Sequence, residues 1–440
     1  MGNTTQMNFL IVFISILSAC SNKNTDVLDI APIIDEQYEP TITSTLNQNI
    51  TVLDEGNAHP ANAGTQYTSI TTAPNGEIYS AWMDEKKSLR LLQVKLNGEK
   101  VQKVLRYEMQ EDKYHVKPSI AVDKNGFIHI AADMHNQGWV YMRSINPNDI
   151  QAFEEINLPG KSISYPQFFK DKNNDLYITF RHKVKDKPNE YTRGSSGGGL
   201  IRYNLNTKSF VMLGGESHGF LRTLVWTNMG GKDGHYQQPG IRLFFDNSNR
   251  MHLVATLINN PTDKASDGNT HVLYAYSDDK GDSFYDINGK KINSLPMTPA
   301  SMTTVAYRPD SDISANAFVG AFSENRPVIG WFQGVSSDVA GRRIVRWNGQ
   351  EWKNISPESG AGNQFVIRRN KQLIIFRPRI GLYFTNDEGR TYKKMQFSSK
   401  TNNQYNLIID EQYFLLTGNI RFQSTDVTET KIFIHESIIN

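Results

Sequence analysis

Beyond about residue 60 the chain alternates short apolar runs with polar turns, and no segment sustains the 3.6-residue period of a helix. The runs are rich in β-branched and aromatic residues and break at Asn-Gly or Asn-rich turns, which is the pattern of strands and hairpins. One unit recurs: a strand, a polar turn, and a second strand ending in a larger residue. It is found at Ser69–Trp82, Ser119–Met134, Gln167–Arg181, Ile241–Thr256, Phe318–Trp331, Phe365–Phe376 and Asn406–Leu416. Most copies are followed by a further strand or strand pair, such as Leu89–Val94 or His271–Ser277. Four strands per unit and seven units predict an all-β fold, a seven-bladed β-propeller of four-stranded antiparallel blades, over residues 61–440.

Two segments add turn chemistry. Ser277-Asp-Asp279-Lys-Gly281-Asp-Ser283-Phe284 and Thr385-Asn-Asp387-Glu-Gly389-Arg-Thr391-Tyr392 match the Asp-box pattern of sialidase-like propellers. The aspartate is expected to cap backbone amides, the glycine to take positive φ, and the aromatic residue to anchor the hairpin. Such a turn speaks for the fold and says little about activity.

The front of the chain differs. Phe9–Ala19 is an apolar run too short for an ordinary membrane span, and it ends in Leu17-Ser18-Ala19-Cys20. That tetrapeptide resembles a bacterial lipobox, although the first twenty residues contain no Lys or Arg. The expectation is a lipoprotein signal peptide over 1–19 and lipidation of Cys20. A polar tether and lead-in follows over 20–60, with export to the cell envelope, cell surface or medium. Cys20 is the sole cysteine, which excludes an intramolecular disulfide framework and any zinc site built from several thiolates.

The 47 basic and 45 acidic side chains nearly cancel, so no bulk field marks the chain as a nucleic-acid binder. A polyanionic partner would have to meet a local basic patch, and nothing in the sequence points to an oligomer.

Residues just beyond the inner strands of propeller blades converge on one rim although they are distant in sequence. His115 precedes the first strand of the second repeat and His135 follows its second strand. Tyr165 and Arg181 occupy the same two places in the third repeat. The repeated placement selects these four as candidate catalytic residues, with Asn136 beside them. His129 and His252 lie within strands at corresponding places in two repeats and are read as scaffold. His218, His235 and Tyr236 belong to a Gly-rich region, Leu213–Gly240, that is long enough to fold over the rim. A second insertion runs from His182 to Gly199 and includes Arg193. It is either a solvated loop or an anion-contacting lip.

These residues carry a resemblance to BNR-repeat propellers that include the seven-bladed ulvan lyases, which cut a sulfated rhamnose and uronic acid polymer. It is strongest at His115 with Pro118-Ser119-Ile120, at Gly126-Phe-Ile-His129 with Met134-His135-Asn136, at Tyr165-Pro166-Gln-Phe168, and at Arg181 with the downstream Gly-Ser-Ser-Gly. The resemblance implies that His115 and Tyr165 exchange protons with substrate, that His135 is a second catalytic histidine, and that Arg181 neutralises the uronate. Arg193 is the alternative for the arginine role, and Tyr236 and Asn136 are implied to contact substrate. The implied reaction is β-elimination, which leaves a 4,5-unsaturated uronate. It requires no cofactor, and a structural metal ion is left open. The competing expectations are a non-catalytic surface glycan-binding lipoprotein and a sialidase-like glycoside hydrolase.

Overall fold

Strands form where β-branched and aromatic side chains can fill both faces of a sheet. Ile78–Met83 and Met251–Leu257 are buried at every position, so these sheets are covered on both sides, as a ring of stacked blades requires. The computed structural model describes residues 41–48, 51–58, 68–109, 118–160, 162–183, 196–215, 222–225, 241–257, 270–307, 317–333, 341–357, 364–368, 372–377, 381–397, 405–426 and 430–437. Among these, seven sheets form a seven-bladed β-propeller. Residues 1–40, with the expected signal segment and Cys20, lie outside the described residues.

Blades 1 to 6 follow chain order, over residues 70–106, 119–155, 163–213, 241–307, 318–354 and 364–397. Within each, successive strands pair antiparallel. Blade 7 combines three strands of residues 405–437 with Thr51–Asn57, which pairs antiparallel with Lys431–Ser437. Thr41–Gln48 adds in parallel to Thr391–Phe397 as a fifth strand of blade 6. The stretch expected to be a tether and lead-in therefore supplies two strands of the propeller, and one of them closes the ring.

Among the described residues the buried apolar side chains gather into seven clusters, each spanning two neighbouring blades. The cluster of Ala58, Ile408, Ile432 and Ile434 with Ile70, Trp82 and Leu92 joins blade 7 to blade 1. No blade covers its own faces, so stability comes from each blade burying its neighbour's apolar surface.

The turns follow from the residues expected to make them. Asp123, Asp171 and Asp246 each accept hydrogen bonds from the amides two and four residues on. In the segment 277–284, Asp279 Oδ1 accepts from Ser283 N at 2.8 Å, Gly281 has φ +93°, and Phe284 is buried. In the segment 385–392, Asp387 Oδ1 accepts from Thr391 N at 2.9 Å, Gly389 has φ +84°, and Tyr392 is buried.

The two histidines read as scaffold are fully buried and identically held. His129 bonds Tyr141 through Nδ1 and Asp123 through Nε2, the latter at 3.2 Å. His252 bonds Tyr274 at 2.8 Å and Asp246 at 3.2 Å. Burial lowers both histidines' pKa despite the neighbouring carboxylate.

The seventh repeat departs from expectation. The pattern of Asn406–Leu416 predicts strand, turn and strand, but only Tyr405–Ile409 is a strand, and Glu411–Thr417 is a helix. Asp410 caps it, accepting from Tyr413 N at 3.1 Å, and Gly418 ends it in the left-handed region with φ +80°. Phe414 keeps the core contact that a strand would have made. A short apolar run with a capping aspartate and a terminal glycine fits either period. The blade's second strand comes later, at Ile420–Asp426.

Candidate active site

The polypeptide turns at the junction of blades 2 and 3 in a way that brings three strands edge to edge. After blade 2's second strand, Ile128–Ala131, the short strand His135–Gln137 leaves its own blade and pairs with the first strand of blade 3. Ser164 faces His135 on one side and Arg181 on the other. His135, Ser164 and Arg181 therefore form one row across three strands. The sequence placed His135 as a neighbour of His115. The strand it joins belongs to the next blade, and His115 lies outside the described residues.

Ser164 is the last paired residue before a bulge, and pairing resumes at Gln167. The bulge turns Tyr165 out of register with φ +56°, a left-handed conformation that is unusual for a bulky side chain. Asp133 and Asn136 also have positive φ, +55° and +60°. Strained backbone of this kind costs on the order of 1–3 kcal/mol at each site and concentrates where function demands a particular geometry.

Of the four residues chosen from repeat position, the three that are described, His135, Tyr165 and Arg181, come together. The Arg181 guanidinium carbon lies 4.5 Å from the centre of the Tyr165 ring. The His135 and Tyr165 ring centres are 5.8 Å apart, tilted by 44°. Arg181 Nη2 donates to Asn136 Oδ1 and to Ser164 Oγ, each at 3.1 Å. Asn136 N donates to the same Ser164 Oγ at 2.8 Å. Asn136, expected to contact substrate, thus also holds the arginine.

Accessibility divides the group. His135 and Asn136 are partly exposed, whereas Tyr165 is 3% and Arg181 1% exposed. His135 therefore presents surface to solvent, while the Arg181 guanidinium lies behind it in the packed interior.

The ends of the insertion after Arg181 are strand, not loop. Leu176–Lys183 pairs with Ser196–Asn204, so that Phe180, Arg181 and His182 face Gly199, Gly198 and Gly197. Glycine is needed at 199 because a Cβ there would lie 2.3 Å from the Phe180 ring. His182, which the sequence marked only as the first residue of the insertion, is buried with Nε2 3.2 Å from Thr223 Oγ1. Its signal was its place directly after Arg181. Arg193, His218, His235 and Tyr236 lie outside the described residues. Among the described residues no group of three or more His, Cys, Asp or Glu side chains is placed to hold a metal ion.

A cation and an imidazole that both pack against one phenol can offset negative charge on a carboxylate and pass a proton to or from carbon or oxygen. In structure the chain is similar to an ulvan lyase of the polysaccharide lyase group PL25 bound to -[GlcA(1-4)Rha3S]-, at 16% identity and a TM-score of 0.63, covering 91% of this chain and 94% of that one. It is also similar to the polysaccharide lyase Uly1, at 12% identity and a TM-score of 0.64, covering 86% of this chain and 91% of the other. At such identities the likeness is one of fold. No curated protein matches the sequence. The model of the BNR repeat-containing family matches residues 77–359, which span blades 1 to 5 and the junction that holds the candidate site, and the chain belongs to that family.

Proposed function

We propose that this protein is a polysaccharide lyase that cleaves ulvan by β-elimination at the uronate, leaving a 4,5-unsaturated uronic acid end. The observation that carries the proposal is the convergence of His135, Tyr165 and Arg181 at one blade junction. The similarity in fold to ulvan lyases supports the choice of substrate.

The chemistry follows from the groups. The C5 proton of a uronate is very weakly acidic, because removing it builds charge on a carboxylate that is already anionic. Arg181 offsets that charge. A deprotonated Tyr165 or a neutral histidine, His135 or His115, takes the proton, and another of these groups, in its protonated form, protonates the departing O4. Proton transfer among the chain's own side chains needs no cofactor. Arg193 and Tyr236 remain proposed substrate contacts. Anchoring at the cell envelope through Cys20 is proposed from Leu17-Ser18-Ala19-Cys20.

One observation favours a second reading. Tyr165 and Arg181 are nearly covered, so a protein that binds the polymer through His135 and Asn136 without cutting it would leave them undisturbed. Ultraviolet absorbance followed over time with ulvan separates the two. A rise with wild type that is absent with His135→Ala supports elimination; saturable binding with no new unsaturated ends overturns it.

A further inference from the structure

The Ser164 hydroxyl makes contacts that the proposed reaction does not itself require. Its oxygen accepts from Arg181 Nη2 at 3.1 Å and from Asn136 N at 2.8 Å, and its proton faces Asn136 Oδ1 at 3.4 Å. A hydroxyl offers two acceptor positions and one donor, so these contacts use its full capacity. The side chain is fully buried, which removes water as a substitute partner.

Its place in the fold gives these bonds reach. Ser164 belongs to blade 3, Asn136 to the strand that blade 2 sends across, and Arg181 to blade 3's second strand. The next residue, Tyr165, starts the bulge and carries the strained φ. A single oxygen thus ties the backbone beside His135 to the guanidinium that lies over Tyr165.

We infer that Ser164 is a positioning residue, which sets the Arg181 guanidinium and the His135 strand in register so that a bound uronate carboxylate meets the cation while its C5 faces the proton-exchanging groups. This rests on the elimination reading given above. A residue that acts through a transition-state contact affects turnover more than binding, and two residues that act as a unit give non-additive losses.

The test is a double-mutant cycle on the full chain with ulvan as substrate. Ser164→Ala is expected to lower kcat about tenfold or more while KM changes less than about threefold. In a chain already carrying Arg181→Lys, the same change is expected to have almost no further effect. Ser164→Thr, which retains the hydroxyl, is expected to recover most of the activity and guards against a misfolded alanine variant. Wild-type kcat in Ser164→Ala, or an equal fold-loss in both backgrounds, overturns the inference. If wild type forms no unsaturated ends, the elimination reading itself fails, and the same cycle is then read on affinity for an ulvan oligosaccharide. Non-additive losses there uphold the positioning role, and additive ones overturn it.

Discussion

The guanidinium carbon of Arg181 stands 4.5 Å from the centre of the Tyr165 ring, although the two residues are sixteen positions apart in sequence and on different strands. A buried cation against an aromatic face is stabilised by about 2 kcal/mol when desolvated. Here it also fixes the phenol relative to the imidazole of His135.

Tyr165→Phe keeps the ring and removes only the hydroxyl. If that hydroxyl exchanges a proton with substrate, kcat should fall about 100-fold or more. Thermal unfolding should shift by no more than a few degrees, since the ring contact to Arg181 survives. Initial rates of unsaturated-uronate formation, beside a melting curve, check both halves. Unchanged turnover would remove Tyr165 from the chemistry.

His252→Leu should behave in the opposite way. The histidine is buried between Tyr274 and Asp246, and its loss leaves two buried polar groups without that partner. The expected destabilisation is about 2–4 kcal/mol, with kcat per folded molecule unchanged. Urea unfolding measures the first, and rates at a temperature well below the melting transition measure the second.

Acid should destabilise the propeller through its buried histidines. Burial lowers His435 to about 4 from its ordinary 6.5, so between these values the unfolded chain binds a proton that the folded chain refuses. The contribution of His435 is therefore full above about pH 6.5 and is lost progressively down to about pH 4. His435 contributes up to about 3 kcal/mol of that loss, from its shift converted at about 1.4 kcal/mol per pH unit. The urea midpoint of wild type should fall across this window, and His435→Gln should flatten part of the slope.

Glu411 acts with the opposite sign. Burial raises its carboxyl to about 7 against an ordinary 4.5, even with Arg242 opposing the shift. The folded state holds a proton that the unfolded state has released, so this group's contribution to stability declines as pH rises from about 4.5 to 7. Because Glu411 retains partial exposure, water moderates the effect to about 1–2 kcal/mol. Glu411→Gln should match wild type near pH 5 and exceed it at pH 8, as read from paired unfolding curves.

Much of the fold was legible in the chain because its determinants are local. An aspartate two and four residues before free amides makes the same turn in blades 2, 3 and 4. The matching places of His129 and His252 within their repeats were enough to mark both as scaffold, since a repeated position repeats its surroundings. The sequence placed Tyr165 and Arg181 at facing ends of one hairpin; the hairpin pairs Ser164 with Arg181, and the bulge after Ser164 lays the Tyr165 ring against the guanidinium.

Other features depended on which surfaces meet, and those the sequence left open. The period of residues 406–416 suits a strand, but capping by Asp410 and packing of Phe414 against blade 6 decide for a helix. The strand that closes blade 7 comes from residues 51–57, whose polar character hides a partner hundreds of positions away. Above all, the sequence put His135 in the second repeat, while the ring of blades delivers it to the third, beside Ser164. Residue order and periodicity specify each strand's own faces and turns. Edge-to-edge pairing between blades, and the burial of Arg181 that goes with it, arises only when seven sheets pack into a closed ring and each covers its neighbour.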